Sequence, residues 1–338
     1  MPIVVNSNVT ATTASFNLSH ANNALRKSLA RLSSGNRIVN PADDAGGMAV
    51  AYKLDSTLKR TEAVRQNIQN GISYLQVQDG ALKITGNILS RMSELRTMAS
   101  DITKNSSDVE NYSKEFIELQ SQLHQIKNQK FNGISLFAIN GQTAADFAPD
   151  DQIVKIGTNA GTFNYTMEDD STENYNYDKY AFHLNTAASG LEDDGHISLN
   201  VINLEFVLSL AGSGGNADYN LGGFANAGPG GAISTVALNG ENFIENITDV
   251  SMFSFTLAIE KLADLRAENG AEQNRLTMAG DLLALNQTNL EAAHGRIMDA
   301  DIALESTRFA RQNVLVQASA AMVAQANQLT NVALTVLG

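Results

Sequence analysis

At 338 residues, 43% of them hydrophobic, the chain is long enough for two or three domains and too apolar to be disordered throughout. It contains no cysteine and no tryptophan, which excludes disulfide staples and thiolate metal sites. The net charge of -13 is concentrated: residues 138-250 hold sixteen acidic side chains against Lys155 and Lys179, a balance of -14 that leaves the two flanks together at +1.

Like charge repels its own copies, whereas near-neutral surface can pack against them. The middle therefore reads as a solvent-facing insert and the flanks as the parts that associate. An acidic chain without basic-aromatic patches does not favour nucleic acid as a partner.

The amino terminus, MPIVVNSNVTATTAS, has no basic segment ahead of an apolar core. No ordinary secretory signal is expected, and export would use another route. Ala11, Leu18, Leu25 and Leu32 then recur every seven residues, with Ala14, Ala21 and Ser28 between them, which predicts a helix with a narrow apolar seam. Residues 1-40 carry Arg26, Lys27, Arg31 and Arg37 and no acid.

Asn40-Pro41-Ala42-Asp43 has the chemistry of a helix start, with Asn40 as cap and Pro41 in the first turn. From there Leu54, Leu58, Val64, Ile68, Ile72, Leu75, Leu82, Ile88, Leu89, Met92 and Leu95 keep helical spacing to about Ser100, a helix of roughly 70-90 Å at 1.5 Å per residue. Gly71, Gly80 and Gly86 fall within it and are expected to be close-packing points rather than hinges. A second helix fits Glu110 to Lys127, followed by a turn at Phe131-Asn132-Gly133 and an extended run from Ile134 to Phe137.

The insert holds 14 of the 25 glycines, so turns are frequent there. Alternating segments Asp151 to Ile156, Thr162 to Met167, Tyr180 to Leu184 and His196 to Leu204 predict a β-rich domain. Helical pattern resumes from Leu257 to about Ala292. At the far end Ile302, Phe309, Val316, Val323 and Leu337 keep a seven-residue period, and Leu315, Met322, Leu329 and Val336 run one residue earlier. This broader stripe should contact more than one neighbour. Gln312 to Gly338 is uncharged, but ten of its 27 residues are Gln, Asn, Ser or Thr, so no stretch reaches the roughly 18 apolar residues of a membrane span. No membrane partner is expected.

The residues of familiar catalytic chemistry are absent as patterns. His20, His124, His183, His196 and His294 include no pair four apart, so there is no HExxH zinc site, and no G-x-S-x-G elbow or phosphate-binding G-x-x-x-x-G-K occurs. Asp150-Asp151, Glu168-Asp169-Asp170 and Glu192-Asp193-Asp194 lack the alternate spacing of a calcium loop. The expectation is no catalytic residue, no metal and no cofactor.

Leu32-Ser33-Ser34-Gly35-Asn36-Arg37-Ile38, Asp43-Asp44-Ala45-Gly46, Gly71-Ile72-Ser73, Gly80-Ala81-Leu82 and Phe131-Asn132-Gly133, with Gly270-Ala271-Glu272-Gln273-Asn274-Arg275, Arg296-Ile297, Asp299, Asp301-Ile302-Ala303 and Ala324-Gln325-Ala326-Asn327-Gln328, make the chain resemble bacterial flagellins. The resemblance covers about two thirds of the chain and omits the insert. It implies a mainly α fold, a long helical coiled-coil rod from paired terminal segments with an inserted β-rich outer domain. The boundaries expected are an N-terminal arm at 1-42, rod halves at 43-137 and 250-297, an outer domain at 138-249 and a C-terminal arm at 298-338.

The function implied is a subunit that polymerises into the extracellular flagellar filament. Leu18, Leu25, Leu32, Ile302, Phe309, Val316, Met322, Val323 and Leu329 would pack the filament core. Implied partners are further copies of the chain, hook-associated and cap proteins, an export chaperone and the type III export apparatus. Flagellins read by an innate immune receptor carry a Q-R-x-R-E-L-type segment; this chain has Ser90-Arg91-Met92-Ser93-Glu94-Leu95, which keeps Arg91, Glu94 and Leu95 with Ser93 in place of the second arginine, and Glu115 on the next helix is a further match. The chain also ends Val336-Leu337-Gly338 instead of in the family's Leu-Arg. A hook-filament junction protein and a secreted coiled-coil adhesin are the competing readings. An enzyme carried on the insert would be a third.

Overall fold

The computed structural model describes residues 8-138, 153-166, 172-187, 195-209, 221, 235-238 and 241-337. The chain divides into two compact units, Met1–Arg60 with Leu285–Gly338, and Thr61–Ala284. Its helices are α1 (Val9–Ser34), α2 (Ala45–Ala99), α3 (Ser106–Ile126), α4 (Leu204–Leu208), α5 (Met252–Met298) and α6 (Ile302–Leu337). Between α3 and α5 run the short strands β1 (Lys130–Phe131), β2 (Ile134–Ser135) and β3 (Phe137–Ala138), the longer β4 (Ile153–Thr166), β5 (Thr172–Asn185) and β6 (His196–Asn203), and the pair β7 (Thr235–Leu238) and β8 (Glu241–Ile244). The fold is mainly helical with an inserted strand-rich region, as expected.

Local chemistry moves several boundaries. Asn40 to Asp43 forms a turn instead of the first turn of α2, because the Asp43 carboxylate is held by Lys27 at 2.6 Å and the Asp43 N–H donates to Asn40 O. Asp44 caps the helix, its Oδ1 accepting from Gly47 N at 2.8 Å. Helix α3 starts four residues before Glu110, since Asn105 and Asp108 make a reciprocal capping box. Asn132 and Gly133, at φ 50° and 89°, close the β1–β2 hairpin; a two-residue loop with both φ positive matches the twist of the flanking strands.

In the Thr61–Ala284 unit the inward face of α2 is Val64, Ile68, Leu75, Leu82, Leu89 and Met92, and it shares one core with Phe116 and Leu123 of α3 and with Phe255, Leu262, Leu265 and Leu276 of α5. Strands β3-β6-β5-β4 form a sheet that contributes Phe137, Leu199 and Ile202 to the same core. Two predicted segments, Asp151 to Ile156 and Thr162 to Met167, are parts of the single strand β4, which bulges against β5 between Lys155 and Gly161; Asp151, Gln152 and Met167 themselves lie outside the described residues. Strand β6 stops at Asn203, whose side chain accepts from Phe206 N and starts α4.

Buried amides tie helices to strands. Gln78 Nε2 donates to Leu136 O at 2.9 Å and to Asn200 O at 3.1 Å, while its Oε1 accepts from Asn269 at 2.6 Å. Gln120 donates to Ile244 O and accepts from Ile244 N, completing β8 as another strand would. Lys261 is buried and donates to Phe206 O, Ser209 O and Ser209 Oγ at the end of α4; burial pushes its pKa down to about 7.

The glycines of α2 divide by environment. A Cβ on Gly71 would lie 2.9 Å from Leu184 and 3.3 Å from both Leu199 and Leu276, and one on Gly86 would lie 3.1 Å from Leu262, whereas one on Gly80 would meet nothing within 4 Å. Overpacking costs about 1–3 kcal/mol, against about 1 kcal/mol gained by replacing a helical glycine with alanine. Urea unfolding should therefore show Gly71→Ala destabilised by about 1 kcal/mol and Gly80→Ala stabilised by up to about 1 kcal/mol.

Candidate assembly interface

Within the other unit, α1 and α6 lie antiparallel. Asn8 Nδ2 donates to Ala326 O at 2.9 Å at one end, and Ala300 N donates to Gly35 O at 2.9 Å at the other. The junction is closed by an antiparallel bridge between Asn36 and Asp299 and by Arg37 N donating to Met298 O.

Each arm is started and stopped by identifiable residues. Asn8 caps α1 by accepting from Ala11 N, and Gly35 ends it at φ 71°, a left-handed conformation that glycine adopts at no steric cost. Asp301 caps α6, its Oδ1 accepting from Ala303 N and Leu304 N at 3.0 Å each. Gly35, Asn36, Asp299 and Asp301 are thus junction and cap residues.

The inward line of α1 is Ala11, Ala14, Leu18, Ala21, Leu25, Ser28 and Leu32, the seam expected from spacing. Opposite it α6 turns inward Glu305, Phe309, Gln312, Val316, Ser319, Val323 and Ala326, an alternation of four and three residues. The large side chains are only half-buried. Ala21, Ser28 and Glu305 are the seam positions fully covered.

Of the candidate packing residues, Leu18, Leu25, Leu32, Phe309, Val316 and Val323 are thereby brought together. Ile302 and Met322 are not in this seam: they are 53% and 64% exposed, as is Leu315 at 45%. The side chain of Leu329 lies outside those described. Glu305, Gln312 and Ser319 complete the seam although, being polar, they stand outside its apolar pattern. Their offset of three or four from Phe309, Val316 and Val323 was the available signal.

Glu305 is a carboxylate in a coiled-coil seam. Arg308 Nη1 donates to it at 3.2 Å and Arg31 lies 3.9 Å away. Burial alone would raise its pKa, but the bonds from Ser28 and Arg308 and the charges of Arg31 and Arg308 outweigh this and hold it below the ordinary 4.5. Polar groups at such positions fix register at a cost in stability.

The possible receptor contacts stand in the Thr61–Ala284 unit. Arg91 donates to Glu115 at 2.8 Å and to Glu94 at 3.2 Å, an exposed triad that links α2 to α3. Leu95 is fully buried beneath it. Among the described residues there is no group of three or more metal-ligating side chains, and no helix is long and apolar enough to cross a membrane.

Paired first and last helices with an apolar face left over are the architecture of a helical structural protein. Residues 5–142 match the family model for the bacterial flagellin N-terminal helical region and residues 254–337 that for the C-terminal helical region. The chain is 30% identical to flagellin of Bacillus subtilis over 96% of both chains, and 28% identical to flagellin A of Vibrio anguillarum over the full length of both. A structure of a flagellar hook-associated protein from Vibrio parahaemolyticus shares the fold at TM-score 0.50 and 14% identity, covering 76% of this chain and all of that one. The chain belongs to the bacterial flagellin family and is a structural subunit of the flagellar filament.

Glu305 carries a pH dependence with a definite sign. A carboxyl held below 4.5 in the folded state stabilises the paired arms above that value, and the contribution is lost as pH falls through the depressed value. Filaments carrying Glu305→Gln should melt at a lower temperature than wild type at neutral pH and lose less further stability on acidification. Circular dichroism melts across pH 3–7 check both.

Proposed function

We propose that the chain polymerises by pairing its arms inside the subunit and packing their remaining apolar faces against neighbouring copies, and that the arms order as they do so. The observation that carries this is the double stripe of α6. Phe309, Val316 and Val323 face α1, while Ile302, Leu315 and Met322 stay exposed, as do Phe16 and Leu29 on α1. A helix pair whose large seam residues are half-buried offsets little of the entropy of ordering two long arms. Neighbours that cover the second stripe supply the rest. Repeated head-to-tail contacts that do not close generate an open helical filament.

On this reading residues 1-42 and 298-338 are the inner arms, 43-137 and 250-297 the helical rod, and 138-249 the outer domain whose acidic surface faces solvent. The protein works without catalysis, outside the cell, as part of the filament. Its partners are further copies of itself, hook-associated and cap proteins at the filament ends, and a chaperone with the type III apparatus during export. An innate receptor that contacted the α2–α3 surface would meet Arg91, Glu94 and Glu115, with Leu95 acting only as support from the core.

Joint replacement Val316→Asp and Val323→Asp should abolish sedimentable polymer while leaving the Thr61–Ala284 unit folded. Normal filaments from that variant, seen by electron microscopy, would remove the arms from the mechanism. Hydrogen exchange should separately show residues 8-34 and 302-337 exchanging rapidly in dilute subunit and slowly in filament; equal protection in both states excludes ordering on assembly.

A further inference from the structure

His183 and His196 stand thirteen residues apart in sequence and meet on the sheet. In the β5–β6 ladder His183 lies opposite Ser198 and Asn185 opposite His196. Because side chains alternate faces with period two, His196 shares the face of Ser198 and so of His183, as a diagonal neighbour. The intervening Ile197 and the next alternate residue Leu199 point the other way and are buried, which leaves both imidazoles exposed to solvent. Their ring centres are 4.5 Å apart with planes at 71°. Among the described residues neither ring makes a hydrogen bond.

That separation has a chemical meaning. Imidazole binds a metal through one nitrogen at about 2.0–2.1 Å, which puts the ring centre about 3.2 Å from the ion. Two rings bound at right angles on one ion then have centres about 4.5 Å apart. Right-angle donor pairs suit tetragonal Cu2+ and Ni2+, and Cu2+ stands highest in the affinity order for nitrogen sites. The ladder fixes both backbones in advance, so little ordering accompanies capture of an ion.

We propose that His183 and His196 form a surface site for one divalent first-row transition ion per chain, Cu2+ binding most tightly, with water completing the coordination. The site does not depend on polymerisation, since both ligands and both strands belong to one chain. Neither side chain takes part in the arm seam or in the core.

Cu2+ titration of the full-length subunit in a non-coordinating buffer tests this, with electron paramagnetic resonance to count bound nitrogens. His20, His124, His294 and the amino terminus provide background sites, so the comparison is between variants. Wild type and His20→Ala should both show a one-equivalent site with two imidazole nitrogens. His183→Ala and His196→Ala should each weaken that site by about tenfold or more, since losing even a supporting group costs 10–100-fold. The double variant should lose the site altogether, with only the background sites left, whereas each single variant keeps one weakly binding imidazole. Urea unfolding without metal establishes that each variant is folded, and His→Gln replaces any alanine variant that is not. Unchanged Cu2+ affinity in folded variants, or two one-nitrogen equivalents of which each single variant removes one and leaves the other intact, overturns the proposal and leaves the pair as an edge-to-face packing contact.

Discussion

The constraint on which the molecule turns is the narrowness of the seam between α1 and α6. Ala11, Ala14, Ala21 and Ser28 let the helices approach closely, but small side chains bury little area, and the larger Leu18, Leu25, Phe309 and Val316 remain half-covered. A pair held so lightly is well suited to remaining incomplete in isolation. The exposed stripe of Leu315 and Met322 is the apolar surface that the proposed contacts with neighbouring copies would cover.

The Thr61–Ala284 unit is built on the opposite plan. Its core runs continuously from Val64 to Met92 on α2, through Phe116 and Leu123, to Phe255 and Leu276 on α5, with the sheet residues Leu199 and Ile202 joined to it. Buried polar groups there are paired: Gln78 with Leu136, Asn200 and Asn269, and Gln120 with both backbone groups of Ile244. Such networks cost free energy when any member is missing, so they reward a single arrangement of helices and strands. The continuous core lies in this unit and the half-buried seam in the other. The motifs that mark the family fall on both, with Gly71 packed against the core, Gln273 bonded to the buried Asn269 at its edge, and Gly35 and Asp301 at the arm junction.

Charge follows the same division. The arms use a few placed ions, Lys27 with Asp43 and Arg31 and Arg308 with Glu305, to set the geometry of a near-neutral surface. The acidic excess of residues 138-250 falls outside the arms, and like charge of that kind repels its own copies.

Much of this was legible in the residues alone. The heptad of α1, the length of α2, the hairpin at Asn132-Gly133 and the β character of the insert follow from local periodicity and turn chemistry, which need no knowledge of partners. The family was readable too, since several of its marks are caps, junctions and turns at fixed spacing. Tertiary structure alone decided the rest. The transfer of the α2 cap from Asn40 to Asp44 depends on Lys27 capturing Asp43, and Glu305 joins the seam because Ser28, Arg31 and Arg308 satisfy it there. Gly71 is crowded by leucines from β5, β6 and α5, while Gly80 in the same helix is free. His183 and His196 become neighbours only through the register of two strands. Each of these rests on contacts between residues distant in the chain, and periodicity along one element carries no information about which distant group will be across from it.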